Sequence, residues 1–156
     1  MTPSERETVS IVIPLHNEEG NVAPLVSALA QVREPGWNVV FVDDGSNDGT
    51  FVQLREVAAA HDWIGVVVLK RRVGQAAALK AGFDHAKGEL LVTMDGDLQN
   101  DPADIGLIVE QLRGGAGFVI GRRMERRDRW LDRKLPSWIA NRLITWSLRV
   151  PFRDIG

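Results

Sequence analysis

Three polar clusters punctuate the chain, each directly after a run of branched apolar residues: His16-Asn17-Glu18-Glu19, Asp43-Asp44-Gly45-Ser46 and Asp95-Gly96-Asp97. Carboxylates this dense repel one another unless a cation or hydrogen-bond donors compensate them. Asp95 and Asp97 are separated by a glycine that lets the backbone turn tightly. Such a pair suits one hard cation, Mg2+ or Mn2+, which takes oxygen ligands and commonly combines a few carboxylates with phosphates and water. The implied co-ligand is a diphosphate, which bare carboxylates repel and a bridging cation attracts. Taken alone, an acid-Gly-acid turn is most often a plain surface turn. Its place after a buried strand and before Leu98-Gln99 argues for chemistry.

The other two clusters are less specific. Asp and Gly favour turns in any protein, and Asp48-Gly49-Thr50 can cap a following helix. The functional alternative is a carboxylate that accepts hydrogen bonds from a nucleobase or ribose. His16 is open to three roles: metal ligand, acid-base group or flat stacking surface. Beside Pro14 at a strand end, with no second histidine nearby in sequence, stacking on a base is preferred. His61 and His85 fall at or near helix ends and are expected to be structural or solvent-facing.

The elements that must position these residues follow from periodicity. Buried strands are expected at Val9 to Pro14, Asn38 to Val42, Gly65 to Leu69 and Glu89 to Met94, with a short fifth at Phe118 to Gly121. Val22, Leu25, Val26, Leu29 and Val32 recur at helical steps. Further helices are expected over Thr50 to His61, over the alanine-rich Gly74 to Ala86, and from Pro102 to Arg113. Strands alternating with helices predict an α/β fold: a mostly parallel sheet with helices on both faces. Such sheets bind ligands beyond the carboxyl ends of their strands, which is where all three clusters fall.

Composition narrows the class. At 156 residues the chain is about one domain, and 44% apolar with 26% charged residues excludes wholesale disorder and a multispanning membrane protein. Cysteine is absent, which removes disulfides, thiolate metal sites and a cysteine nucleophile together. The start MTPSERETVS lacks secretory character, so a cytoplasmic location is expected. The net charge of -2 conceals a split: residues 1–121 hold 9 basic and 17 acidic side chains, and residues 122–156 hold 10 and 4. That basic end also carries Trp130, Trp138 and Trp146, three of five tryptophans. It suits phosphates or a membrane surface, and equally a solvated basic helix.

With these residues assembled, the sequence resembles glycosyltransferase family 2, whose catalytic domain has the Rossmann-like, nucleotide-sugar-binding GT-A fold. The motifs IPLHNEE, VVFVDDGSNDGT, LKRRVGQAAALKAGFDHAKGE, LLVTMDGDLQNDP and VIGRR stand in the family's order and cover nearly the whole chain. The Gly74 to Gly88 stretch and Asp97-Leu98-Gln99 resemble the polyprenyl-phosphate branch, which includes dolichyl-phosphate mannosyltransferases and undecaprenyl-phosphate glycosyltransferases. The resemblance implies that Pro14, His16 and Glu18 hold the nucleoside and that Val42 and Asp44 contact base and ribose. It implies that Asp95, Gly96 and Asp97 form the metal and diphosphate motif, with Gln99 as a further metal-side ligand and Arg123 as a basic residue near the diphosphate. One departure is visible. The position of His16 is often tyrosine, and this chain has none.

The implied reaction transfers a sugar from a nucleoside diphosphate to an acceptor with inversion, the acceptor being a polyprenyl phosphate. Mg2+ or Mn2+ on Asp95 and Asp97 would offset charge on the departing diphosphate, and Arg123 would act on the same oxygens. An ionised lipid phosphate needs no general base, whereas an alcohol acceptor would need a carboxylate base that the sequence does not identify. The chain then divides into a donor-binding core, residues 1–121, and an acceptor-side or membrane-proximal segment, residues 122–156. In that segment the basic run Arg122 to Lys134 can approach an acceptor phosphate. Leu135 to Val150 mixes Trp138, Arg142, Trp146 and Arg149 with leucines at helical spacing, as suits a headgroup interface or packing onto further protein. Expected partners are a nucleoside-diphosphate sugar, a lipid phosphate and the cytoplasmic face of a membrane, with no nucleic acid. Family members normally continue past Gly156, so the domain is expected to be cut off there. The alternatives are a truncated, inactive nucleotide-binding or membrane-associating module, and a sugar nucleotidyltransferase. The latter's early glycine-rich phosphate loop has no counterpart before Pro14.

Overall fold

A computed structural model describes residues 7–121. Its elements alternate as the periodicity predicts: β1 (Val9–Leu15), α1 (Val22–Val32), β2 (Trp37–Asp43), α2 (Thr50–Ala60), β3 (Ile64–Val68), α3 (Gln75–His85), β4 (Leu90–Thr93) and α4 (Asp104–Arg113). The four strands form one sheet in the order β3-β2-β1-β4, and every pairing is parallel. The chain moves outward from β1 through β2 to β3, then crosses back to place β4 on the other side of β1. That reversal puts a topological switch point between β1 and β4, where open α/β sheets hold ligands.

Helices cover both faces, because β1 alternates between two apolar layers. Val9, Ile11, Ile13 and Leu15 join α1, α2 and α4 through Leu25, Leu29, Leu54, Ile105 and Val109. Val12 faces the opposite layer with Val40, Val42 and Ala78 of α3. A central strand buried on both sides needs the unbroken β-branched run that the sequence shows. The small residues of α3 let it lie close on the sheet. A Cβ added at Gly82 would collide with Val12 Cγ1 and would lie 2.9 Å from Val42 Cγ2.

The expected fifth strand at Phe118 to Gly121 does not form. A strand needs a neighbour to accept its ladder, and none of the four described strands pairs with this run. Phe118 and Ile120 are instead 74% and 67% exposed. β1 runs one residue past its expected end, β2 one residue past at each end, β3 begins and ends one residue earlier than expected, β4 is one residue shorter at each end, and α4 begins at Asp104 because Pro102 and Ala103 form a turn. Among the described residues no helix is long and apolar enough to cross a membrane. Arg123, the basic run and the tryptophan-bearing helix expected beyond residue 121 lie outside the described residues.

Candidate functional site

The loops that leave β1 and β2 interlock, which makes one surface from two distant stretches. The amide of Asn17 donates to Ser46 Oγ at 2.9 Å, and the amide of Asn47 donates back to Asn17 Oδ1 at 2.9 Å. Gly49 N donates to Glu19 Oε2 at 3.0 Å, and Glu18 N donates to Thr50 Oγ1 at 2.8 Å, a hydroxyl that is fully buried. Asp48 Oδ1 accepts the Thr50 amide at 3.0 Å and its Oδ2 accepts Glu19 N at 3.3 Å. Slight desolvation pushes the exposed Asp48 carboxyl up, but the Thr50 hydroxyl and the amides of Thr50 and Glu19 outweigh it and hold it below the usual aspartate range. Asn17 takes a positive φ of 56°, accepted by asparagine better than by most residues.

His16 and the two aspartates of β2 gain definite roles from this frame. His16 Nδ1 lies 2.8 Å from the carbonyl of Asp44. A carbonyl only accepts, so Nδ1 carries the proton and Nε2 is left open. Asp43 is buried, and its Oδ1 caps the turn by accepting Ser46 N at 3.0 Å. Asp44 is also buried and reaches the other way, accepting Val73 N at 2.7 Å on one oxygen and Gly74 N at 2.8 Å on the other. The 71–74 segment is thereby fixed over the end of β2. Gly45, with φ +63°, lies under it, and a Cβ there would strike the backbone of Arg71 and stand 2.5 Å from Arg72 N.

These pieces surround a groove of about 320 Å³ at the carboxyl ends of the strands. Pro14, Leu15, His16 and Glu18 come from β1 and its loop, Asp44 from β2, Arg72, Gly74 and Gln75 from the entry to α3, and Asp95, Gly96 and Asp97 from the end of β4. The volume falls in the range of small-molecule sites. Residues as far apart as Pro14 and Asp97 therefore meet, as the strand-end placement predicts.

Not every expected residue joins them. Val42 is fully buried between β1 and α3, so its side chain packs the core and does not line the groove. Gln99 does not line it either, and its backbone amide donates to Asp97 Oδ1 at 3.0 Å. Leu98 between them takes φ 61°, an uncommon conformation for a bulky residue, and it lets the turn close on Asp97. Gly96 packs directly over Leu15, where a Cβ would overlap Cδ2.

Arg72, Gly74 and Gln75 carry no expected role from the sequence. The strand-end rule that selects the acidic clusters selects them too, since they follow β3. Their signal is weaker only because Lys70-Arg71-Arg72 is basic where the others are acidic.

Among the described residues four carboxylates, those of Glu18, Asp44, Asp95 and Asp97, line the groove against one cationic side chain, Arg72. Asp44 is compensated by two amides, and Glu18 accepts Asn21 Nδ2. Asp95 and Asp97 remain exposed; Gln75 Nε2 donates to Asp95 Oδ1 at 2.9 Å and the Gln99 amide to Asp97 Oδ1. Among the described residues no three His, Asp or Glu side chains converge as a metal cage. Two carboxylates fit the other mode, in which Mg2+ or Mn2+ is held by one or two carboxylates and completed by substrate phosphates and water.

A doubly wound parallel sheet with an acid-lined groove at its switch point defines an α/β protein built to bind a polar ligand at its strand ends. Residues 10–155 match the model of glycosyl transferase family 2, and the chain belongs to that family. It is 43% identical over 159 residues to a dodecaprenyl-phosphate galacturonate synthase of Rhizobium johnstonii, covering 99% of this chain and 47% of that one. It is 37% identical to an undecaprenyl-phosphate 4-deoxy-4-formamido-L-arabinose transferase of Aeromonas hydrophila, covering 100% of this chain and 49% of that one. The chain thus spans about half the length of these relatives. Among solved structures, a mannosyltransferase of Pyrobaculum calidifontis in complex with GDP-Man and Mn2+ is similar, with 30% identity and a TM-score of 0.63 over 70% of this chain and 33% of that one. A glucosyl-3-phosphoglycerate synthase of Mycobacterium tuberculosis shares the fold at 22% identity and a TM-score of 0.57, covering 70% of this chain and 41% of that one. The GT-A-type α/β fold implied by the motifs is borne out.

Proposed function

We propose that this chain forms the donor-binding part of an inverting glycosyltransferase that moves a sugar from a nucleoside diphosphate to a polyprenyl phosphate. One observation carries the reading: the groove joins His16, Asp44, Asp95 and Asp97 at a switch point, with the carboxylates of Asp95 and Asp97 left open. The relatives named for dodecaprenyl- and undecaprenyl-phosphate sugar transfer support the acceptor class.

In this reading the nucleoside lies along Pro14, His16 and Glu18. The His16 ring, fixed by the Asp44 carbonyl, offers a flat wall to the base. Asp44 acts through the 73–74 amides as well as by any direct contact, while Val42 acts by holding the sheet beneath α3. The diphosphate lies toward Asp95 and Asp97. A divalent cation held there, Mn2+ or Mg2+, would compensate the charge that builds on the leaving diphosphate. Arg72 supplies positive charge to the same groove, and Arg123 is proposed to add a second contact on the diphosphate oxygens. Gln99 is proposed as a further ligand on the cation side, next to Asp97, whose Oδ1 accepts its backbone amide. A lipid phosphate arrives ionised and needs no base.

Residues 1–121 are proposed as the donor-binding core and residues 122–156 as the acceptor side, facing anionic lipid at the cytoplasmic face of a membrane through their basic and tryptophan side chains. The test is a thermal-shift screen of UDP- and GDP-sugars with Mn2+, followed by mass spectrometry of products formed on a polyprenyl phosphate. A cation-dependent shift with one donor and a glycosylated lipid product are expected. Identical shifts with and without chelator would sink the metal-assisted mechanism. Donor and liposome binding without product would favour a non-catalytic binding module.

A further inference from the structure

We infer that Gln75 is the positioning residue for Asp95, a neutral tether that aims this carboxylate at the cation without cancelling its charge. The inference rests on the proposed cation site and adds a role for a residue to which the motifs assign none.

Gln75 opens α3 and lines the groove. Its Nε2 donates to Asp95 Oδ1 at 2.9 Å, across 20 positions of sequence. The residues just before it are held hard, since both carboxylate oxygens of Asp44 take the amides of Val73 and Gly74. The Gln75 backbone is therefore anchored to the end of β2, while its side chain grips the residue after β4. These two strands flank β1, so the bond spans the groove floor at Leu15 and ties its two banks together.

The choice of an amide is chemically informative. A lysine or arginine would hold Asp95 more strongly, but it would neutralise the charge that must attract a cation and compete for the same oxygens. An amide donates one hydrogen bond and leaves the formal charge of Asp95 intact, with Oδ2 available. Partners that orient a metal-binding carboxylate in this way commonly change metal affinity by about 10- to 100-fold when removed.

The experiment titrates Mn2+ alone into the purified chain and follows the free ion by electron paramagnetic resonance, with melting temperatures recorded in parallel. The set comprises the wild type, Gln75→Met, Gln75→Lys and Asp95→Ala. Gln75→Met is expected to weaken Mn2+ binding by about tenfold with an unchanged melting temperature, because Gln75 is exposed. Gln75→Lys is expected to lose Mn2+ as fully as Asp95→Ala while melting no lower than the wild type, since it tethers Asp95 but cancels its charge. A merely structural tether would predict the opposite for lysine. Wild-type affinity in either Gln75 variant, with loss in Asp95→Ala, overturns the positioning role and leaves the cation site standing. No Mn2+ binding by the wild type overturns both.

Discussion

The Asp44 carboxylate receives the Gly74 amide at 2.8 Å, so an acid at the end of β2 fixes the residue that precedes α3. With the Val73 amide on its other oxygen, Asp44 acts as a clamp on a segment that also carries Arg72 and Gln75. Asp44→Asn replaces one acceptor with an NH2 group that faces an amide donor. Leaving a buried donor unsatisfied costs about 1–3 kcal/mol, and because these amides are only part-buried a loss toward the low end of that range is expected in urea denaturation. Amide exchange at Val73 and Gly74 should accelerate alongside it. Unchanged exchange at both positions would refute the clamp.

Asp97→Ala is expected to remove the dependence of nucleoside-diphosphate binding on Mn2+, with little change in the melting point, because Asp97 is exposed and its carboxylate accepts the Gln99 amide within a local surface turn. Calorimetry with UDP and GDP, with and without Mn2+, measures this. Retained cation dependence would place the cation elsewhere.

Gly82→Ala tests the contact between α3 and the sheet. The added methyl meets Val12 and Val42 in a packed layer, so helix propensity is outweighed and a net loss of about 1–3 kcal/mol is expected. Alanine at this helical position should otherwise stabilise. An increase in stability would show that α3 has room to move off β1.

The Asp48 carboxyl carries a pH signature. Its folded pKa lies below the unfolded one, so its contribution to stability is present above the ordinary aspartate range and is lost as pH falls through the folded value. Asp48→Asn is expected to be less stable than the wild type near neutrality. The two should converge as pH drops below the aspartate range. Chemical denaturation from pH 7 to strongly acidic pH reads the convergence, and a constant difference across that span would exclude the carboxylate as its source.

Most of the fold is legible because β1 and β2 are buried on both faces, which forces short, unbroken branched runs whose length and flanking turn residues mark them as strands. Phe118 to Gly121 shows the limit of that signal. Its apolar residues satisfy the strand pattern, but pairing is a property of a neighbour and not of the run. The groove is legible where strand ends coincide with acids, at Asp44, Asp95 and Asp97. That the Val42 side chain packs the core and does not line the groove is hidden in the sequence, because the two faces of β2 cannot be told apart when both are apolar. Gln75 is silent for a different reason: a glutamine at the start of an alanine-rich helix looks like ordinary solvated surface until the fold brings Asp95 beside it.

The strand order also bears on how the molecule assembles. β1 pairs with β2 through a connection of modest length, whereas its pairing with β4 joins residues separated by most of the described chain. Contacts of long sequence separation close late, because the intervening loop must be ordered first. The bank built from the first two strands is therefore expected to acquire protection in pulse-labelled hydrogen exchange before the bank bearing Asp95 and Asp97. During synthesis, a half-groove that already holds His16 and Asp44 in place would wait for the edge bearing Asp95 and Asp97 to emerge.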